Sequence, residues 1–440
     1  MNDIRRTILW VIFGFSMVLL WDQWQIHNGN KPTFFPPGTT KAPDGTASKD
    51  AHASAGVPNA IGGSHASGEV ATMPQGSSAT PRDKYTIKTD VLELVIDSEG
   101  ANIVRADLLP FKDHAVTEQP MRLLSDGKDL TYVAQSGVVS SDPNAVTPTH
   151  KTPMRLISQV TELRDGQDRM ELVFESEVQG GLQLIKRYVL ERGQYQIKTE
   201  FEIVNRGNTT VTPQLYVQLV RDGSKPAGES SFYSTFTGPA IYTGAKKYQK
   251  VEFTDIEKGK AEFEKQSADG YVAMVQHYFT SAWLLPDQVQ RDIYARKIEN
   301  NRYAVGMIAP LAAIEPGGKV HRQASLYVGP QQEKKLEAIY PGLELVKDYG
   351  WLTILAKPLF WLLNELNQLL HNWGWSIVAL VVLIKVAFYW LNAQAYRSMA
   401  KMKAINPRVM ELRERMKDNP QQMQMEMMKI YREEKVNPMG

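Results

Sequence analysis

Cysteine is absent from the 440 residues, which removes disulfide frameworks, Cys-ligated zinc, iron–sulfur clusters and thiol nucleophiles together. The absence fits an oxidising compartment without requiring one. An excess of either charge is also missing: 50 Lys and Arg against 48 Asp and Glu leave a net of +2. That balance hides a gradient. After residue 396 ten cations face six anions, a net of +4, and Lys385 adds one; residues 1–26 and 351–371 balance, which leaves −3 for residues 27–350. Long apolar runs are scarce as well. The chain has two, and they separate a basic end from a mildly acidic middle.

The first run, Thr7 to Trp21, carries no charge and follows Arg5 and Arg6. Its length suits the apolar core of a secretory signal, but "DQWQIHN" after it lacks the small residues that signal peptidase requires. Residues 1–26 therefore read as an uncleaved transmembrane anchor with a cytoplasmic N-terminus. The second run, Asn372 to Tyr396, holds a single charge, Lys385. At about 1.5 Å per residue it would span roughly 37 Å, enough for a hydrocarbon layer of about 30 Å. Basic residues after Arg397 put its C-terminal end in the cytoplasm, so residues 27 to about 371 lie outside. Eight of the nine Trp stand in or beside the two runs, Trp283 being the exception. Trp361, Trp373 and Trp375 are the expected interfacial anchors.

Large apolar residues are nearly missing from Asn28 to Pro81, which is Pro, Gly, Ala, Ser and Thr. Such a segment buries too little surface to offset its ordering entropy, so 27–84 reads as a disordered tether. His52 and His65 fall in it, isolated from other ligands, and read as solvated tether residues rather than a metal site.

Residues 85–330 read as β structure. In "QYQIKTEFEI" Tyr195, Ile197, Thr199, Phe201 and Ile203 alternate with polar residues, the period of a half-buried antiparallel strand. "GLQLIKRYVL" and the turn-like "ERG" supply its hairpin partner, and "RMELVFESEV" repeats the alternation. "VQHYF" reads as a core strand through His277. No long amphipathic helix interrupts, so the segment is one large β-sandwich. Residues 331–350 read as a connector. From 351 to 371, Thr353, Lys357, Asn364, Gln368 and His371 share one narrow sector of a helix that is otherwise apolar. That pattern, with Lys357 and Pro358 inside it, describes a helix lying in the membrane interface rather than a third crossing.

Beyond Arg397, Met399, Met402, Ile405, Val409, Leu412 and Met416 recur at helical spacing. "KDNP" stops this helix, and Met423, Met427 and Ile430 mark a second. Residues 397–436 read as a cytoplasmic helical hairpin whose Met side chains line its seam or form an adaptable surface. Its basic flanks suit anionic lipid or ribosomal RNA.

Lys385 is the anomaly. Ten Leu, Ile, Val and Phe between Asn372 and Tyr396 contribute roughly −3 to −6 kcal/mol to insertion, and a central Lys costs about 2.5 to 3.5. An ammonium at that depth needs an acid on another helix or a water-filled cavity. Tyr389, Asn392 and Tyr396 follow at helical spacing and extend a polar stripe.

The stretch from "NWGWSIVALVVLIKVAFYW" through "SMAKM" to "EKVNPMG" resembles the start of the core of the YidC/Oxa/Alb membrane protein insertases. "DVLELVIDSEGANIVRADLL", "YVLERGQYQIKTEFEIVNRGN" and "DGYVAMVQHYFTSAW" resemble the periplasmic domain of its Gram-negative branch. The resemblance implies an α + β membrane protein of the bacterial inner membrane, with a mutarotase-like periplasmic β-supersandwich between two transmembrane helices. It implies an insertase and chaperone acting alone or with the Sec translocon on nascent inner-membrane proteins, with no cofactor and no enzymatic reaction. Ribosome or targeting factors would meet the hairpin, and anionic lipids its flanks. Lys385 matches the positive residue of a hydrophilic groove, with Tyr389 and Asn392 beside it as substrate contacts. Many relatives carry Arg there; Lys keeps the charge without the bidentate fork, which favours a diffuse electrostatic role. The family pattern continues into about four further spans, so residues 437–440 would begin a further membrane segment. The alternative is a membrane-tethered periplasmic carbohydrate-binding or mutarotase-like protein, which needs a convergent acid and base; His277 and His321 are the only His of the later β region.

Overall fold

The computed structural model describes residues 56–61, 82–113, 119–127, 130–142, 144–224, 226, 236–299, 301–349, 353–415 and 420–433. The expected anchor, 1–26, and both tether histidines lie outside these residues.

Two nine-stranded sheets, antiparallel at every pairing, carry the β region. Sheet 1 runs β1 (Lys84–Lys88), β2 (Leu92–Asp97), β3 (Asn102–Lys112), β4 (Pro120–Asp126), β5 (Thr131–Ser140), β10 (Pro213–Asp222), β17 (Arg302–Pro310), β16 (Arg291–Glu299) and β13 (Gln266–Ser267). Sheet 2 runs β12 (Lys247–Lys250), β11 (Gly238–Thr243), β14 (Tyr271–Gln276), β15 (Phe279–Leu284), β18 (Lys319–Pro330), β9 (Gln196–Asn205), β8 (Leu182–Glu191), β7 (Arg169–Ser176) and β6 (Met154–Leu156). Period-two alternation sets the registers. On β9 Ile197, Thr199, Phe201 and Ile203 are buried, and β8 pairs beside them with Leu190 opposite Ile197 and Leu184 opposite Ile203. The "ERG" turn places Gly193 at φ +70°.

One apolar core lies between the sheets, joining Leu94, Ile103, Leu215 and Val217 of sheet 1 to Leu184, Phe201, Val272 and Leu326 of sheet 2. Polar side chains tie the sheets across it. Tyr188 Oη donates to Ala101 O at 2.6 Å, and Trp283 Nε1 to Gln218 O at 3.1 Å. Lys186, fully buried on β8, donates from Nζ to Gly100 O at 2.6 Å and to Ser136 O and Oγ at 2.8 Å each. Burial without a carboxylate pushes its ammonium down to about 7. Arg291, also fully buried, donates from its three nitrogens to the carbonyls of Val289, Gly270, Leu285, Ala268 and Pro286. Its fork closes the loops at one end of the sandwich through backbone carbonyls.

Three expectations are corrected here. Residues 331–350 are no connector: α2 (Glu333–Ile339) and a 3₁₀ turn (Leu343–Val346), which follow a short α1 (Phe253–Glu257), bury Leu336, Leu343 and Val346 in the sandwich core. "VQHYF" is no continuous strand, because β14 ends at Gln276 and Tyr278 takes φ +73° in the turn before β15. Within the expected tether, residues 56–61 are seated on the outer face of sheet 1, where Val57, Ala60 and Ile61 find apolar partners. That seat covers Tyr216 on the outer face of β10, and Val220 farther along the same strand is buried by Val104, Val133 and Ala304, so β10 is buried on both faces.

Lys186 sets a pH dependence. Its charged form is disfavoured in the fold, so between about 7 and its ordinary 10.5 the unfolded chain binds more protons and stability rises with pH. From pH 7 to 9 the wild-type sandwich should gain on the order of 2 kcal/mol relative to Lys186→Met, read from urea midpoints at both pH values. Equal pH slopes for the two proteins would show that Lys186 is not held in this way. Arg291→Ala orphans several buried carbonyls and should cost more than about 3 kcal/mol in the same measurement, whereas an unchanged midpoint would mean the fork is idle.

Candidate functional site

After the sandwich come α3 (Thr353–Leu370), α4 (Trp373–Ala387), α5 (Tyr389–Arg415) and α6 (Pro420–Glu433). Glu333 of α2 gathers the entry to α3. Tyr349 Oη donates to its Oε2 at 3.0 Å, and Lys347 and Lys357 stand 3.9 Å from its carboxylate. Lys347 Nζ also lies 3.6 Å from the Phe360 ring centroid, a cation–π contact between the end of the sandwich and the first turns of α3. Burial lowers the Lys347 pKa, opposed by Glu333. The sequence shows Lys357 as part of a polar sector but gives no sign of its acid 24 positions earlier, because that approach depends on how α2 docks.

Two residues turn α3 into α4. His371 takes φ +50°, and Asn372 caps α4 by accepting from the Trp375 N–H at 3.2 Å. Ser376 Oγ returns a bond to Asn372 O at 2.7 Å. Ser376 is the one buried residue of α4, while Trp373, Trp375, Ile377, Val378, Val381, Val382, Leu383 and Val386 are exposed. Water-soluble helices bury the apolar residues and expose the serine. Here the polarity is inverted, as in a helix whose solvent is hydrocarbon.

Lys385 sits in the last turn of α4, exposed, and among the described residues no carboxylate pairs with it. Tyr389, 72% exposed, and Asn392, also exposed, follow on α5. The expected continuous helix over 372–396 is interrupted between them. Phe388, at φ −93° and ψ 7°, ends α4, and the two helices meet at a bend of 57°. The backbone ladder persists through the bend, with Phe388 N–H to Ile384 O at 3.0 Å and Asn392 N–H to Phe388 O at 2.9 Å. No Pro or Gly stands between Lys385 and Asn392 to announce it. Lys385, Tyr389 and Asn392 therefore lie on successive turns across a bend rather than in a straight stripe.

Among the described residues no single helix is long and apolar enough to cross a membrane; Trp373–Ala387 and Tyr389–Leu412 pass that test only as a bent pair. Trp361, Trp373 and Trp375 are all more than half exposed. Toward the C-terminus α5 runs on through Pro407 and buries Ile405 and Val409, with α6 packed beside it. Met423, Met427 and Ile430 of α6 are half-buried, and Met425 and Met428 face out.

The histidines of the sandwich do not converge. His277 is exposed in the β14–β15 turn, stacked on Tyr278, and His321 on β18 faces Glu202 at 3.8 Å. A cleft of 640 Å³ borders residues 58–59 and is lined by Glu264, Gln266, Asp292 and Arg296, with neither histidine in its wall. Asp292 is engaged there by Gln266 Nε2 at 3.0 Å. His150, which nothing in the sequence singles out, is buried under residues 56–61.

The family described as the YidC periplasmic domain matches residues 84–362, and the one described as the 60Kd inner membrane protein matches residues 365–440. The membrane protein insertase YidC of Cupriavidus metallidurans is 47% identical over 438 residues, covering 100% of this chain and 78% of that protein. Its counterpart in Ralstonia nicotianae is 46% identical over 444 residues, with the same coverage of each. Among solved structures, a galactose mutarotase related enzyme from Lactobacillus acidophilus is 12% identical at a TM-score of 0.36, covering 56% of this chain and 97% of that one. At that TM-score no sugar chemistry follows from the likeness. Matched from end to end at nearly half identity, the chain belongs to the YidC family of membrane protein insertases.

Proposed function

We propose that this protein is an insertase and chaperone of the bacterial inner membrane, taking nascent membrane proteins as substrates and using Lys385 as its groove cation. Family membership supports the activity. The observation that carries the site is the inverted polarity of α4: Trp, Ile and Val outward, Ser376 inward, and one exposed ammonium with no acid beside it among the described residues.

In this scheme α4 and the first turns of α5 cross the bilayer as a bent unit, and the sandwich stands on the periplasmic side. The helix α3 lies in the interface, with Trp361, Trp373 and Trp375 as anchors. Residues 1–26 form a first crossing, and both ends of the chain face the cytoplasm. Water around Lys385 lowers the cost of moving a short polar segment, and its charge attracts acidic residues of that segment. Tyr389 and Asn392 extend the polar contact past the bend. Apolar sides of the incoming helix then partition into lipid, which drives the step without nucleotide or cofactor. The helices α5 and α6 form the cytoplasmic hairpin, where a ribosome or targeting factor would dock and where basic flanks meet anionic lipid. Cooperation with the Sec translocon belongs to the same proposal.

Losing one attractive charge in a partly hydrated groove is worth about 1 kcal/mol, roughly fivefold in rate. Lys385→Ala should slow insertion of a substrate with an acidic translocated segment by about that factor, Lys385→Glu should slow it further, and Lys385→Arg should stay close to wild type. Protease-protection of a radiolabelled substrate in proteoliposomes reads this directly, and normal insertion by Lys385→Glu would sink the groove role. Deleting the sandwich at its structural limits, residues 84–346, should leave insertion measurable; complete loss in a stably inserted deletion protein would place the activity in the sandwich.

A further inference from the structure

Residues 56–61 rest in a groove on the outer face of sheet 1. Its floor is two tyrosines laid over glycines of sheet 1. A Cβ at Gly137 would stand 2.6 Å from Tyr216 Oη, and one at Gly306 would collide with Tyr294 Oη, so neither ring could lie flat over any other residue. Tyr216 Oη accepts from the His150 N–H at 2.9 Å and shares a hydrogen bond with His150 Nδ1 at 2.7 Å. Burial, reinforced by Lys151, Lys186 and Arg296, pushes the His150 pKa down to about 3, so the wall beside Gly56 is a neutral ring. Gly56 takes φ +86°, and a Cβ there would press within 3.4 Å of His150 Nε2.

The floor reads the segment's backbone at both ends. Gly56 O accepts from Gln218 Nε2 at 3.0 Å and from Arg296 Nη2 at 2.9 Å. The Ile61 N–H donates to Gln214 Oε1 at 2.7 Å, and Ile61 O accepts from Gln214 Nε2 at 3.0 Å. Gln218, fully buried, is fixed in turn by Tyr294 Oη, which donates to its Oε1 at 2.8 Å. Between these ends Val57, Ala60 and Ile61 pack on Val139, Tyr216 and Ile308, and Pro58 is buried. Only the Asn59 side chain is exposed, at the border of the 640 Å³ cleft. Removing the segment would strip partners from Gln214 and Gln218, a cost no incidental surface contact carries.

We propose that this face of sheet 1 is a binding site for an extended peptide of pattern Gly-Val-Pro-x-Ala-Ile, filled in cis by residues 56–61 and open to the same pattern in trans once they are displaced. The unread fourth position tolerates any side chain that the adjoining cleft admits. Tethering gives the resident segment an effective concentration of about millimolar, so a competitor of equal sequence binds poorly while it is seated.

The test uses the full-length protein in nanodiscs and a fluorescein-labelled peptide, Ala-Gly-Val-Pro-Asn-Ala-Ile-Gly. A release variant carries Val57→Ser, Pro58→Ser and Ile61→Ser, and a second adds Gln214→Ala. Fluorescence anisotropy should show saturable binding to the release variant, at least ~10-fold weaker binding to the intact protein and a similar loss with Gln214→Ala. In the intact protein the Ile61 amide should exchange at least ~100-fold more slowly than a free-chain amide. The proposal falls if Ile61 exchanges at the free-chain rate, if all three proteins bind the peptide equally, or if a release variant with intact circular dichroism binds none.

Discussion

Apolar side chains are hidden in one half of this protein and displayed in the other, and the rest of the structure is arranged around that inversion. In the sandwich, Leu94, Phe201, Val272 and Leu326 lie between two sheets, and the polar ends of Lys186 and Tyr188 that enter with them donate to the carbonyls of Ser136 and Ala101. In α4 the exposed large residues are Trp, Ile, Val and Leu, and the one fully buried residue is Ser376, with Ala379, Leu380 and Ile384 half-buried. The sandwich has the polarity of a water-soluble fold, whereas the exposed side chains of α4 have the polarity of a surface suited to hydrocarbon. The sandwich is joined to α3 at Glu333, where Tyr349, Lys347 and Lys357 meet a single carboxylate and Lys347 covers Phe360.

Lys385 takes its meaning from the same inversion. On a water-soluble helix an exposed lysine is ordinary; among outward Val, Leu and Phe side chains it is the only charge of α4. The bend at Phe388 alters what surrounds it, because Tyr389 and Asn392 start a helix of another direction. A polar stripe on a straight helix would be a line. Across a bend it turns a corner after the lysine's end of α4.

The sandwich is more than a filled interior. Its sheet 1 is covered on the outside too, since Tyr216 and Tyr294 lie over glycines and Gly56–Ile61 lies over both. A six-residue segment in a Pro-, Gly- and Ala-rich stretch acquires structure there because Gln214, Gln218 and Arg296 satisfy its backbone. Composition correctly says that such a stretch cannot build a core of its own. It is silent on whether another surface supplies the partners.

The sequence by itself determined what one side chain's polarity at one position can encode. Period two marked β9 and its neighbours and set which face each buries, because a pleated strand turns alternate residues the same way. The uncharged run broken by Lys385 singled out that residue, and motif resemblance pointed to the family before any fold was seen. Tertiary structure alone decided the features that rest on contacts between distant positions. Leu336, Leu343 and Val346 became core because α2 docks, the turn at Tyr278 arose within an apolar word, and the seat of Gly56–Ile61 was made by strands more than 70 positions away. The bend at Phe388 has no local breaker to predict it. Local pattern fixes which way a residue faces; what it meets there is set by packing, which joins parts of the chain that no short window contains.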